Sequence, residues 1–219
     1  MSSPAFPAAV LFDHDGTLVN SEPQWAVAKR AVAARYGVGW STEDDHATLG
    51  RTVPASARLM VERGAAGTVE DITAELGQEV ADSLTGEVPF LPGMRALLDE
   101  LERAGIPGAV VTNALTVVAQ GTASGAPDVL RVVVSQEDVE HAKPHPEPYL
   151  LAARRLGVDP AQCVAVEDSQ TGAASAAAAG MPVVVVPGEL PVEAAPGFVP
   201  VDAHTDVTLA FLRGLAPSV

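Results

Sequence analysis

The chain has 219 residues, enough for one large domain or a core carrying a sizeable insert; 47% hydrophobic against 19% charged residues exclude disordered, collagen-like and disulfide-scaffold classes. Thirteen Lys and Arg against 28 Asp and Glu give a net charge of −15, which repels nucleic-acid phosphates and anionic lipid, so neither is an expected partner. The single cysteine, Cys163, lies in an apolar run and reads as a buried core thiol; with no basic leader and no unbroken apolar span, the expected location is a reducing cytoplasm.

The first predicted strand covers residues 8–12 and runs into Asp13-His14-Asp15-Gly16-Thr17. Two carboxylates two positions apart at the mouth of a buried strand are costly unless a cation or a shifted pKa relieves them. In an extended or loop-like segment they converge on one side; read alone, the motif is equally a polar turn.

Residues 19–88 hold no strand-like run. Four helical segments follow one another, closing near Gly37, Gly50, Gly64 and Gly86, with Pro23 and Pro54 in first-turn positions. Ser41 with Asp44, and Thr68 with Asp71, have capping-box spacing, while Ile72, Leu76, Val80 and Leu84 recur along one helical face. Such an insert, placed directly after the first strand, stands over the carboxyl end of the sheet, where open α/β folds bind ligands. Lys29, on the first of these helices, reads as a solvated surface charge.

From residue 90 helices and strands alternate. A helix over 94–101 stops at Gly105, and a strand over 109–112 ends in Thr112-Asn113. The segment after it can start a helix whose N–H groups face an oxyanion, although a Thr-Asn turn is common without one. After a weaker strand at 132–134 comes His141-Ala142-Lys143-Pro144-His145-Pro146-Glu147-Pro148-Tyr149, in which three prolines stiffen the loop that carries Lys143. Lys143 and Lys29 are the only lysines among thirteen basic residues, so a compact ammonium has been kept here. His14, His141 and His145 are scattered and read as loop or surface histidines rather than metal ligands.

A helix over 146–156, a strand over 163–166 ending in Glu167-Asp168, a helix over 171–179 and a strand over 183–186 complete the pattern. Continuous apolar strands with helices between them predict an α/β fold with a doubly wound parallel sheet. If the strands at 8–12 and 163–166 are neighbours, four acids converge, a set of hard oxygen ligands that suits Mg²⁺ better than zinc. Capping of the following helix is the other reading of Glu167 and Asp168.

Taken together, Asp13-His14-Asp15-Gly16-Thr17, the Thr112 strand end, Lys143-Pro144 and Glu167-Asp168 resemble, in order, the motifs of the haloacid dehalogenase superfamily, in its branch with a small helical cap. The resemblance runs from about residue 8 to 186 and implies a Rossmann-like core in residues 1–18 and 89–219, with the cap in 19–88. It also implies that Asp13 is a nucleophile forming an aspartyl-phosphate, and Asp15 a general acid and then base. Asp13, the backbone carbonyl of Asp15, Asp168 and, directly or in support, Glu167 would hold Mg²⁺. Thr112, Asn113 and Lys143 would hold the phosphoryl oxygens.

Dehalogenases that resemble this chain lack an Asp at position 15. Sugar-phosphate mutases often carry a His where this chain has Trp25 and an Arg where it has Val53. Leu49-Gly50-Arg51-Thr52, with the segments around Ser135 and Lys143, looks more like phosphatases of small sugar and polyol phosphates. Trp25, Arg51 and Thr52 are the cap residues expected to face substrate, Arg51 being equally suited to a surface salt bridge. Asn20 departs from the Asp frequent at its position, which touches a hinge role and not the chemistry. The implied activity is Mg²⁺-dependent hydrolysis of a small phosphorylated metabolite, with a phosphosugar mutase as the alternative and a non-catalytic binding protein as a third reading.

Overall fold

The computed structural model describes residues 6–48, 52–84 and 88–215. In chain order the first elements are β1 (Ala9–Phe12) and four helices, α1 (Glu22–Arg35), α2 (Thr42–Thr48), α3 (Val53–Glu62) and α4 (Val69–Leu84). Then come α5 (Met94–Ala104), β2 (Gly108–Val111), α6 (Thr116–Ser124), β3 (Leu130–Val134), α7 (Glu147–Leu156) and β4 (Cys163–Glu167). The chain closes with α8 (Gln170–Ala178), β5 (Val183–Val185), β6 (Phe198–Pro200) and α9 (Leu209–Arg213). All strand pairs are parallel and the order is β3-β2-β1-β4-β5-β6, a doubly wound sheet whose winding reverses between β1 and β4.

Because β1, β2 and β4 are buried along their whole length, their side chains need apolar partners above and below the sheet. Val10, Phe12, Val110, Val164 and Val166 meet Leu97, Leu98 and Leu101 of α5 and Leu212 of α9. Ala9, Leu11, Ala109 and Ala165 meet Tyr149 and Ala152 of α7 and Ala173 and Ala176 of α8, where small residues allow close approach. Cys163 is a buried free thiol, and burial pushes its pKa up to about 12, which leaves it inert.

A third apolar cluster joins α1, α3 and α4 through Val32, Met60, Ile72, Leu76, Val80 and Leu84, and reaches Leu115 and Val118 at the start of α6. Ser41 and Asp44 cap each other as the spacing predicts, Asp44 N–H donating to Ser41 Oγ at 3.3 Å and Ser41 N–H to the Asp44 carboxylate at 2.8 Å. The chain leaves and re-enters the sheet region side by side, since Val19 pairs with Phe90 and Asn20 N–H donates to Pro89 O at 2.9 Å. The sequence pattern gives no sign of β6, a three-residue edge strand that ends in Pro200, or of the short α9.

Strand register determines what meets at the carboxyl end. Phe12 lies level with Val110 of β2 and Val166 of β4, so the residues that follow these strands leave the sheet together. Asp13 N–H donates to Val166 O at 3.0 Å, which sets Asp13 beside Glu167. Ile72, fully buried in the helical cluster, gives a check on that packing: Ile72→Ala should lower unfolding free energy by about 2–5 kcal/mol in a denaturant titration.

Candidate active site

Lys143 holds the carboxyl ends of β1 and β4 together. Its Nζ lies 2.6 Å from Asp13 Oδ1 and 2.5 Å from Glu167 Oε1, and the side chain is 3% exposed. Burial alone would depress an ammonium pKa, but the two carboxylates outweigh it and hold Lys143 above its ordinary value, so the charge persists. The loop that carries it is tied down on three sides. Lys143 N–H donates to Asn113 Oδ1 at 3.3 Å, Ser175 of α8 donates to His145 O at 2.6 Å, and Glu147 accepts from the N–H groups of Glu140 and His141 at 3.0 and 3.1 Å.

Glu167 is fully buried and fully engaged. Besides Lys143, its Oε1 accepts from Tyr149 Oη at 2.6 Å, and its Oε2 accepts from Ser169 Oγ at 3.0 Å. Gly172 of α8 stands so close that any Cβ there would overlap the carboxylate. Asp168 accepts from Thr17 Oγ1 at 3.1 Å and is cradled by Gly16, at φ +80°, and Gly188, whose Cβ would meet the same carboxylate.

The ligand oxygens of Asp13, Glu167 and Asp168 all lie within 4.8 Å of one another. Asp15 is not one of this group, so three carboxylates converge where four were expected. Its side chain is held elsewhere: Ser21 Oγ donates to it, Trp25 Nε1 donates at 3.2 Å and His14 Nδ1 stands 3.1 Å away. Burial would raise the Asp15 pKa, but His14, Ser21 and Trp25 outweigh it and bring it to about 2. Asp13 goes the other way, raised well above its ordinary value by burial and the nearby acids despite Lys143.

A cavity of about 470 Å³ opens over these groups. Asp13, Asp15, Asp168, Thr112, Asn113 and Lys143 face it, as do Trp25 and Thr52, while Glu167 lies beneath. Thr112 is buried and its Oγ1 accepts from Ala114 N–H at 2.9 Å, which shapes the turn after β2. Arg51, with Leu49 and Gly50, lies outside the described residues.

Two further readings need correction. Lys29 is not a solvated surface charge: it is 8% exposed and lines the cavity. Its place one turn after Trp25 puts it on the buried stripe of α1, a signal the sequence did carry. His14 is not at the surface either; it is fully buried, with Nε2 2.7 Å from Thr122 Oγ1. Trp25 lines the cavity and also binds Asp15. His141 and His145 are exposed loop residues beside Glu147. Sequence reasoning missed Tyr149, Ser21 and the Gly188-Glu189-Leu190 loop, whose roles depend on which elements the fold brings together.

The family model for haloacid dehalogenase-like hydrolases matches residues 7–180. The chain belongs to this family. Hexitol phosphatase A of Escherichia coli is 39% identical over 182 residues, covering 80% of this chain and 81% of that protein. Protein CbbY of Rhodobacter capsulatus is 33% identical over 194 residues, covering 83% and 86% respectively. The crystal structure of CbbY from Rhodobacter sphaeroides in complex with phosphate superposes with a TM-score of 0.82 at 28% identity, covering 94% of this chain and 98% of that one.

In this hydrolase the acid cluster fits a divalent cation. Asp13, Glu167 and Asp168 set three carboxylates against the single ammonium of Lys143 among the described residues. Burial, and after it the charge of Glu167, raises the Asp168 pKa to about 6. A raised carboxyl pKa favours the folded state at low pH, a contribution lost as pH climbs from the unfolded value of 3.8 to about 6. Metal-free protein should therefore lose stability across that window. The rise in Tm from added divalent cation should grow over the same window, as the ligand ionises; differential scanning fluorimetry with and without EDTA at stepped pH checks both.

Proposed function

We propose that this chain is a Mg²⁺-dependent phosphatase that hydrolyses the monophosphate ester of a small sugar or polyol through an aspartyl-phosphate on Asp13. The observation that carries this reading is Asp13 itself, a buried carboxylate 2.6 Å from Lys143 Nζ in the wall of a cavity it shares with Asp15, Thr112, Asn113 and Asp168. The phosphatase named among its relatives, at 39% identity, supports the ester class. Residues 19–88 form the cap in this proposal, and the core comprises 1–18 and 89–219.

An oxygen of Asp13 attacks phosphorus as the bond to the ester oxygen breaks, and Asp15 gives a proton to the departing alkoxide. Asp15 is held ionised in the structure described here. An approaching phosphate dianion raises its proton affinity by like charge, so Asp15 takes up a proton from solvent as the ester binds and returns one to solvent after the cycle. Water then attacks phosphorus, Asp15 takes its proton, and inorganic phosphate leaves with Asp13 restored. Ser21 and Trp25 fix the Asp15 carboxyl, so that the same group serves both steps.

Lys143, Thr112 and Asn113 hold the phosphoryl oxygens, and their fixed positions favour the charge that develops during transfer. Glu167, with its acceptors occupied by Lys143, Tyr149 and Ser169, positions the ammonium. Asp13, Asp168, the backbone carbonyl of Asp15 and, directly or in support, Glu167 would hold Mg²⁺, which when bound offsets the repulsion between carboxylate and phosphate.

Asp13→Asn should lower phosphate release by roughly 10⁴-fold with the fold unchanged by circular dichroism, whereas near-normal release would overturn the nucleophile assignment. EDTA should abolish turnover and Mg²⁺ restore it. Free phosphate at every turnover of a sugar or polyol monophosphate is the product this reaction requires; isomerisation with the phosphoryl group retained would show a mutase instead.

A further inference from the structure

Lys29 occupies a place where a helix normally carries an apolar residue. On α1 it shares the buried stripe with Trp25, Ala28, Val32 and Ala33, and only 8% of it is exposed. Among the described residues its one hydrogen bond is to Thr48 Oγ1, 3.3 Å away, although an ammonium has three N–H donors. Burial lowers its pKa, and Glu22, Asp45 and Glu189 act on it from a distance without a contact ion pair. Burying a lysine on such terms costs stability that nothing in the packing of α1 repays.

Lys29, Thr48, Glu22 and Glu189 all face the cavity that holds Asp13 and Lys143. Trp25, which binds Asp15, lies one helical turn before Lys29, about 6 Å along the axis. A substrate whose ester oxygen sits at Asp15 therefore extends its carbon chain towards Lys29. There it meets N–H donors on Lys29 and acceptors on Glu22 and Glu189, a mixed set that suits hydroxyl groups, each of which both donates and accepts, while Thr48, whose hydroxyl donates to Asp44 O at 2.8 Å, steadies Lys29. A second anionic group in the same place would be repelled by Glu22 and Glu189, whose charges already offset that of Lys29.

Resting on the phosphatase reading, we infer that Lys29, with Thr48 and Glu22, is a specificity site that recognises hydroxyl groups on the uncharged tail of a monophosphate ester. Lys29 takes no part in phosphoryl transfer in this proposal; it selects what is attached to the phosphate.

The test is the Lys29→Met variant, assayed with Mg²⁺ on a hexitol monophosphate and on a straight-chain alkyl monophosphate of equal length that lacks the hydroxyls. The expected result is a fall of about 10- to 100-fold in kcat/KM for the hexitol ester, mostly in KM, with the alkyl ester unchanged. The Tm of Lys29→Met should rise, because a buried charge has been removed. Thr48→Val should show a weaker fall in the same direction. Equal loss on both esters together with a lower Tm would mark Lys29 as structural and overturn the inference, as would no change on either ester. A bisphosphate preferred over the hexitol monophosphate, with that preference lost in Lys29→Met, would show that Lys29 binds a second anion and overturn it as well. Failure of the unsubstituted enzyme to hydrolyse any phosphate ester would remove the phosphatase reading, and this inference with it; turnover insensitive to Lys29 would remove the inference alone.

Discussion

One buried ammonium shared by two buried carboxylates sets the terms for this molecule. Lys143 reaches from a proline-stiffened loop to Asp13 at the end of β1 and Glu167 at the end of β4, and nearly all of its side chain is out of water. Removing one partner from such a triad would leave a charge in low dielectric, which costs several kcal/mol, so the three groups hold one another in register. Parallel pairing of β1 with β4 is what makes them meet, since Phe12 and Val166 lie level at the carboxyl end of the sheet. Tyr149 and Ser169 also donate to Glu167, and Gly172 leaves room for it.

The two aspartates of a single short motif are separated by their surroundings rather than by their chemistry. Asp13 sits among acids, where burial and like charge raise its proton affinity. Asp15 sits beside His14 and accepts from Ser21 and Trp25, and together these outweigh burial and lower it to about 2. This order is the reverse of what an attacking Asp13 and a proton-carrying Asp15 need, so in the proposed reaction a cation at Asp13 would lower the one and the phosphate dianion would raise the other. Part of this arrangement comes from α1, because Ser21 and Trp25 belong to its first turn and the residue before it. The helical layer therefore shapes the acid–base environment as well as enclosing the cavity.

The parts of this arrangement legible in the sequence are those written in short range. Apolar runs ending in Asp13, Thr112 and Glu167-Asp168 mark buried parallel strands and put polar groups at their carboxyl ends. Glycines at 105 and 157 mark helix ends, and both adopt positive φ at the helix C-caps. What depends on tertiary meeting is not legible in this way. Tyr149 becomes a partner of Glu167 only because α7 packs across the sheet beside α8, and Glu189 and Leu190 reach the cavity only because β5 lies beside β4. Asp15 shares a motif with Asp13, yet its carboxyl is drawn away by donors that lie six and ten residues on. Lys29 departs from expectation for a physical reason: a charge on a helix is usually solvated, but its four-residue spacing from Trp25 places it on the buried face.

The claim on which the chemistry rests is that Asp13 and Asp168, from two different strand ends, share one divalent ion. Diffraction data collected at the manganese edge from crystals grown with Mn²⁺ test it directly. A single anomalous peak in contact with both carboxylates is the predicted result. A fully occupied ion bound away from Asp13, with Asp13 and Asp168 too far apart to reach one metal, would contradict it.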